Sequence, residues 1–153
     1  MSQHLDGSSQ SVARIADFRP TRTPQRNGLG QINEAVLVQE YLSGIEYVVD
    51  TMSCDGEHKI CTLWEYDRQP TNGAGFVLHG QRCMTADEPL AQELIVYLKQ
   101  VLDALEIRNG PGHAEVKMCR GSPCLVEVGA RCHGAEGFWC DVIDKCIGYN
   151  QAT

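Results

Sequence analysis

The alternation of apolar and polar positions predicts several β-strands in the first half of the chain. From Ala35, AVLVQEYL reads as a buried strand and IEYVVDTMS as a second. The turn signal Cys54-Asp55-Gly56 separates the second run from HKICTLWEY, so we expect these two runs to form a hairpin. Residues 1–32 show no sustained apolar periodicity and are rich in Ser, Gln, Arg, Pro and Gly, which predicts a disordered or loosely attached segment.

The middle of the chain changes from strand alternation to helical spacing. RQPTNGAG, at residues 68–75, carries Pro and Asn-Gly signals and is predicted to be a loop before the strand GFVLHG. EPLAQELIVYLKQVLDALEI then predicts a helix of about five turns with Asp87 as its N-cap. The core-facing stripe of this helix consists of Leu90, Leu94, Leu98, Val101, Leu102 and Leu105.

The last third of the chain returns to strands after Asn109-Gly110-Pro111-Gly112, which ends the helix. HAEVKMCRGSPCLVEVGAR predicts a second hairpin, and GAEGFWCDVIDKCIG predicts a final helix. The order of elements indicates the α+β class, with a mainly antiparallel sheet packed against one long helix.

The second predicted hairpin contains one glutamate in each strand. If its turn centres on Gly121, Glu115 and Glu127 lie at equal distances on either side and become cross-strand partners. Opposed like charges destabilise a strand pair unless something compensates them. Alternation places His113, Lys117, Leu125 and Arg131 on the face of the two glutamates, and Val126 and Val128 on the apolar face.

Two interpretations of these glutamates follow from the residues alone. Hard divalent cations such as Mg²⁺ take carboxylate oxygens, commonly with nucleotide phosphates completing the shell, so Glu115 and Glu127 are candidate metal ligands. The alternative is a solvated strand face with scattered charges. A nucleotide site elsewhere in the chain would favour the metal.

Composition narrows the class of protein. A chain of 153 residues fits one domain with a core of its own, and no apolar run reaches the length of a membrane helix. The start MSQHLDGSSQ is no secretory signal, so we expect a cytoplasmic protein without a membrane partner. A net charge of −7 without a long basic run argues against nucleic acid as a partner.

The eight cysteines offer a different interpretation, a zinc or redox protein. Their spacing includes no C-x-x-C pair, and thiols without a signal peptide should stay reduced and behave as small hydrophobes. If zinc is bound, Cys132, His133 and Cys140 are the candidate ligands.

The segment VLVQEYLSGIEY and the two-glutamate hairpin together resemble the ATP-grasp enzymes. In that family a strand leads into a linker that reads adenine, a glutamate follows for the ribose, and a second metal-binding glutamate stands about a dozen residues after the first in an E-x-N-x-R pattern. Here the second motif reads Glu127-Val128-Gly129-Ala130-Arg131. The resemblance covers residues 33–151, and EYVVD and VEVGARCHG are most similar to the amino-acid ligase and carnosine-synthase-like branch.

The resemblance implies a role for each matching residue. Gln39 would lie near the adenine amino group, the backbone of Glu40, Tyr41 and Leu42 would face the adenine ring, and Glu46 would bind the ribose. Glu115 and Glu127 would bind Mg²⁺, with Mn²⁺ as the alternative ion, and Arg131 would contact phosphate or the acyl phosphate. ATP is then the cofactor, and small carboxylate and amine substrates, amino acids among them, are the partners.

The chain departs from the family pattern in two respects. Gly129 stands where the family has a metal-binding asparagine, and residues 1–34 hold no lysine for the phosphate-contacting small lobe. We therefore expect residues 33–153 to be a partial ATP-grasp domain, with a separate chain as one source of the missing lobe. The functional hypotheses are an ATP-dependent carboxylate–amine ligase, completed by that lobe, a non-catalytic nucleotide-binding remnant, and a cysteine-based zinc or redox protein.

Overall fold

The computed structural model describes residues 30, 32, 39–134 and 138–153. The chain divides into two units, Met1–Tyr41 and Leu42–Thr153, and all the helices and strands described here belong to the second. In chain order these elements are β1 (Glu46–Cys54), β2 (Glu57–Thr71), β3 (Ala74–Cys83), α1 (Pro89–Ala104), β4 (Gly110–Cys119), β5 (Ser122–Gly129) and α2 (Phe138–Ile147).

The five strands form one antiparallel sheet in the order β3-β2-β1-β4-β5. The predicted hairpins correspond to β1–β2 and β4–β5, and the predicted α+β class with a mainly antiparallel sheet and one long helix is confirmed. Within the described residues, neither helix is long and apolar enough to cross a membrane.

Helix α1 covers one face of the sheet. Leu94, Leu98 and Leu102 recur at helical spacing and are completely buried in the larger core cluster, which also takes in residues of β1, β2 and β4. The predicted N-cap at Asp87 is wrong. Glu88 occupies that position with an extended backbone and makes no side-chain cap. Pro89 is the first helical residue, where its missing N–H costs nothing because N–H groups of the first turn have no intrahelical partner.

The predicted loop at residues 68–75 is also wrong. Strand β2 continues to Thr71 and β3 begins at Ala74, so the connection shrinks to Asn72-Gly73. Both turn residues have positive φ, 51° and 82°, which is the geometry of the tight turn whose twist matches that of the flanking strands.

Half of the first predicted strand lies outside the described residues. Of AVLVQEYL, positions 35–38 are not described, and residues 39–42 have no regular secondary structure, so the prediction is wrong for those four. The final helix is confirmed as α2, with residues 135–137 outside the described part. Ile143 of α2 is fully buried against Val48 and Trp64, on the side of the sheet opposite α1.

Candidate functional site

The face of the sheet opposite α1 carries most of its charged side chains, and we call it the polar face. Strand register aligns Glu46 with Tyr66 and Lys117, and aligns Asp50 with Thr62 and His113. Since side chains alternate along a strand, these residues share one side of the sheet. The polar face includes Glu46, Asp50, Thr62, Trp64, Tyr66, Arg68, His113, Glu115, Lys117 and Glu127.

Glu46, the predicted ribose residue, is 6% exposed and is held between two cations. Its Oε1 accepts a hydrogen bond from Arg68 Nη2 at 2.6 Å, and its Oε2 lies 3.7 Å from Lys117 Nζ. Lys117 also donates to the Leu42 carbonyl at 3.1 Å, and Arg68 lies 5.0 Å from the Tyr66 ring centroid. The carboxylate keeps acceptor capacity for a ligand, because each oxygen has two lone pairs.

Glu115 and Glu127 are cross-strand partners, as the sequence predicts. The turn lies at Arg120-Gly121 rather than being centred on Gly121, and the register shifts next to Glu115, leaving Val126 as an extra residue in β5. A bulge of this kind puts two residues opposite one and reverses the alternation beyond it.

The bulge has a consequence for the faces of β5. Leu125 was predicted to share the glutamate face, but it pairs with Val116 and packs on the α1 side with Val128. Glu127 is exposed, and the side chain of Glu115 is 18% exposed, so both carboxylates are open to solvent to different degrees.

A buried network at Asp50 lies beside this pair and was not predicted from the sequence. Asp50 is completely buried, and its Oδ1 accepts from His113 Nδ1 at 2.7 Å. Its Oδ2 accepts from His133 Nδ1 and Thr62 Oγ1, both at 2.7 Å, and from Trp64 Nε1 at 3.2 Å. The sequence did hold one indication of it. Glu46 and Asp50 are an even number of positions apart in one strand, so alternation puts both on the polar face.

The electrostatics of the network follow from these contacts. Burial alone would raise the pKa of Asp50, but the hydrogen bonds from His113, His133 and Thr62 outweigh it and lower that pKa to about 2. Burial would lower the pKa of His113, but its contacts with Asp50 and Glu115 raise it to about 9. The contact with His113 also lowers the pKa of Glu115, so this carboxyl is ionised at neutral pH.

Arg131 lies in the bend that follows β5 and is exposed. Its backbone N–H donates to the Gly129 carbonyl at 2.9 Å, and its Nη1 donates to the Cys132 carbonyl at 3.1 Å. The bend is fixed at His133, whose ring binds Asp50 and whose backbone N–H donates to Gln151 Oε1 at 2.8 Å. Arg131 is thus presented next to the polar face from an anchored segment.

The residues predicted to contact adenine belong to two different structural units. Gln39, Glu40 and Tyr41 are exposed and belong to the first unit, whereas Leu42 belongs to the second and accepts a hydrogen bond from Lys117. Their role at the adenine ring stays a prediction.

The described residues bring together one group of potential metal ligands, and it differs from the proposed zinc group. Ligand atoms of Asp50, His113 and His133 lie within 4.8 Å of one another, and neither Cys132 nor Cys140 belongs to the group. The zinc interpretation therefore loses its support at this position.

Comparison with known proteins extends the sequence resemblance. A family model described as an ATP-grasp domain matches residues 9–138. Dapdiamide A synthase of Enterobacter agglomerans is 36% identical over 129 residues, which are 84% of this chain and 30% of that protein. An L-arginine-specific L-amino acid ligase of Bacillus subtilis is 25% identical over 111 residues, 70% of this chain and 27% of that protein. The chain thus spans less than a third of either relative.

Solved structures resemble the fold. An L-amino acid ligase from Bacillus licheniformis aligns with a TM-score of 0.58 and 22% identity, covering 69% of this chain and 26% of its own. Phosphoribosylglycinamide synthetase from Anaerococcus prevotii aligns with a TM-score of 0.56 and 12% identity, covering 73% of this chain and 28% of its own. At these identities the likeness concerns the fold.

Proposed function

Because the chain belongs to the ATP-grasp family, we propose that it supplies the ATP- and Mg²⁺-binding part of a ligase that joins a carboxylate to an amine through an acyl phosphate. Amino acids are the proposed substrates, because one of the relatives named above is an L-arginine-specific L-amino acid ligase. We also keep the cytoplasm as the proposed location, since this chemistry consumes ATP.

The observation that carries the proposal is the cross-strand pair Glu115 and Glu127 on the same face as Glu46. Two carboxylates on adjacent strands supply hard oxygen ligands from a rigid element, and this donor set fits Mg²⁺. A bound Mg²⁺ supplies neutralisation of the phosphate charge, on which phosphoryl transfer depends. Glu115 and Glu127 would hold it.

The remaining residues of the site bind and orient the nucleotide. Glu46 accepts hydrogen bonds from the ribose hydroxyls. A role of Gln39, Glu40, Tyr41 and Leu42 at the adenine edge is proposed from the family resemblance alone. Arg68 and Lys117 add two positive charges beside Glu46, which favours an anionic ligand on a chain of net charge −7. Arg131 stabilises the charge of the acyl phosphate.

Calorimetric titration with Mg-ATP tests this assignment. We expect wild-type protein to bind Mg-ATP and Glu127→Gln to bind it at least about tenfold more weakly, since metal-site substitutions commonly cost that much. Glu93→Gln is the matched control, because Glu93 is an exposed glutamate on α1, on the other side of the sheet. Equal binding by wild type and Glu127→Gln would contradict the metal assignment.

Turnover separates ligation from binding alone. A ligase releases ADP from ATP in an amino-acid-dependent manner, and that release should fall in Glu127→Gln together with binding. Intact Mg-ATP binding without amino-acid-dependent ADP release would support the non-catalytic nucleotide-binding alternative.

A further inference from the structure

We propose that His113 is a third protein ligand of the ion held by Glu115 and Glu127, through its Nε2 atom. The site would then be a mixed nitrogen and oxygen site. This inference rests on the proposed function, because it takes the two glutamates as metal ligands. Its observations are the orientation of the His113 ring, its distance to Glu115 and the register of β4 and β5.

The ring of His113 is fixed with one nitrogen available to a ligand site. Its Nδ1 donates to Asp50 Oδ1 at 2.7 Å, in a network where Asp50 is completely buried and the His113 side chain is 3% exposed. A histidine that binds a metal through one nitrogen almost always donates its other N–H to a carboxylate or carbonyl, which sets the tautomer and the ring plane. Asp50 stands in that supporting position.

The second ring nitrogen faces a proposed metal ligand. His113 Nε2 lies 3.9 Å from Glu115 Oε1, which is too long for a hydrogen bond. Metal bonds from imidazole nitrogen and carboxylate oxygen are each roughly 2.0–2.2 Å, so two such ligands of one ion are separated by up to about 4.3 Å. The observed separation suits two atoms that share an ion. The Glu127 carboxylate would have to turn toward them on binding, because the ligand atoms of these three residues do not form one group in the structure.

The strand register places the nitrogen next to the carboxylate pair. His113 is paired with Gly129, one alternation step from the pair of Glu115 and Glu127 on the same side of the sheet. Gly129 has no side chain and contributes no ligand, so the imidazole is the metal-binding group that this rung offers.

Ligation has a defined proton balance. Metal binding uses the lone pair of Nε2 while the proton on Nδ1 stays with the hydrogen bond to Asp50. Imidazole suits first-row transition cations better than Mg²⁺, so Mn²⁺ is expected to bind more tightly than Mg²⁺.

Electron spin echo spectroscopy of the full chain with Mn²⁺ alone tests the proposal. Wild-type protein should show ¹⁴N modulation from a directly bound imidazole, and His113→Gln should lose it and bind Mn²⁺ about tenfold more weakly. His79→Gln is the control, because His79 is an exposed histidine on β3, and it should retain both the modulation and the affinity.

A second variant protects the test against misfolding of His113→Gln. Gly129→Asn in the His113→Gln background offers an amide oxygen on the same rung, and its added Cβ would meet the flexible side chain of Arg131 at 3.2 Å. This double variant should recover Mn²⁺ affinity without recovering the imidazole signal.

The possible failures are distinguishable. Mn²⁺ binding that Glu127→Gln weakens, but that shows no imidazole signal in wild type, would overturn the role of His113 and leave the proposed function intact. A signal that persists in His113→Gln would assign the nitrogen to another histidine and also overturn the proposal. Mn²⁺ binding that is absent, or that Glu127→Gln leaves unchanged, would overturn this proposal and the metal assignment beneath it.

Discussion

Asp50 is the residue that organises the polar face. A carboxylate removed from water is costly unless it is paired and hydrogen-bonded, and Asp50 accepts bonds from two histidines, a threonine and a tryptophan. These partners come from β2, β4 and the bend after β5, so one side chain fixes the relative positions of three parts of the site. A loss at Asp50 should therefore affect the stability of the whole face.

Substitution of Asp50 tests this central position. Asp50→Asn places an amide N–H₂ against groups that are themselves donors, and we expect it to lower the free energy of unfolding by about 3 kcal/mol. Thr62→Val removes one hydrogen bond to the charge at nearly constant volume and should cost about 1.5 kcal/mol. Urea unfolding measures both values.

The control for Asp50 is Asp67→Asn, since Asp67 is exposed on β2. Exposed substitutions usually change stability by less than about 0.5 kcal/mol. A loss of stability in Asp50→Asn no larger than in this control would show that the buried network does not hold the face together.

At the scale of elements, the start of α1 depends on a charged side-chain cluster. The Glu88 carboxylate accepts from Arg82 Nη1 at 2.8 Å and Nη2 at 2.9 Å, and from the backbone N–H of Thr85 at 2.8 Å. The hydrogen bonds from Arg82 and Thr85 lower the pKa of Glu88 from 4.5 to about 2. The cluster thus links the end of β3 to the N-cap residue of the helix that covers the core.

The pH dependence of this cluster is a prediction about α1. A carboxyl with a depressed folded-state pKa contributes its stability above the unfolded value near 4.5 and loses it as pH falls through about 2. The urea midpoint of Glu88→Gln should therefore lie below that of wild type at pH 7 and approach it near pH 2. A midpoint difference that stays constant over this range, or equals that of Glu93→Gln, would contradict the prediction.

The elements show how far local sequence patterns reach. The hairpin pair Glu115 and Glu127 could be predicted, although two errors cancelled: the turn is shifted from Gly121, and the bulge at Val126 restores the pairing. The same bulge made the predicted face of Leu125 wrong. Bulges depend on packing across strands and leave no signal in alternation.

Pro and Asn-Gly turn signals explain why residues 68–75 were wrongly predicted to be a loop. Pro70 normally argues against a strand interior, but it lies at a register shift in the β2–β3 pairing and beyond the part of β2 that pairs with β1. The partners of Asp50 were equally out of reach of local patterns, because His113 and His133 are 63 and 83 positions away in the sequence. Contacts this distant are set by the tertiary fold.

In the molecule as a whole, one face of the sheet forms the hydrophobic core and the other carries the candidate functional residues. One face is closed by α1 and its leucines, and the other presents Glu46, Glu115 and Glu127 beside a buried carboxylate–histidine network. The chain belongs to the ATP-grasp family, and the proposed nucleotide site lies on the second face. We propose that this face holds a nucleotide-bound divalent ion.

A crystal structure of the chain grown with Mn²⁺ and a non-hydrolysable ATP analogue tests that claim most directly, because anomalous scattering locates the ion independently of the nucleotide. We predict an anomalous peak about 2 Å from carboxylate oxygens of both Glu115 and Glu127, with the analogue's phosphates completing the shell. An ion bound with the nucleotide away from both glutamates would contradict it.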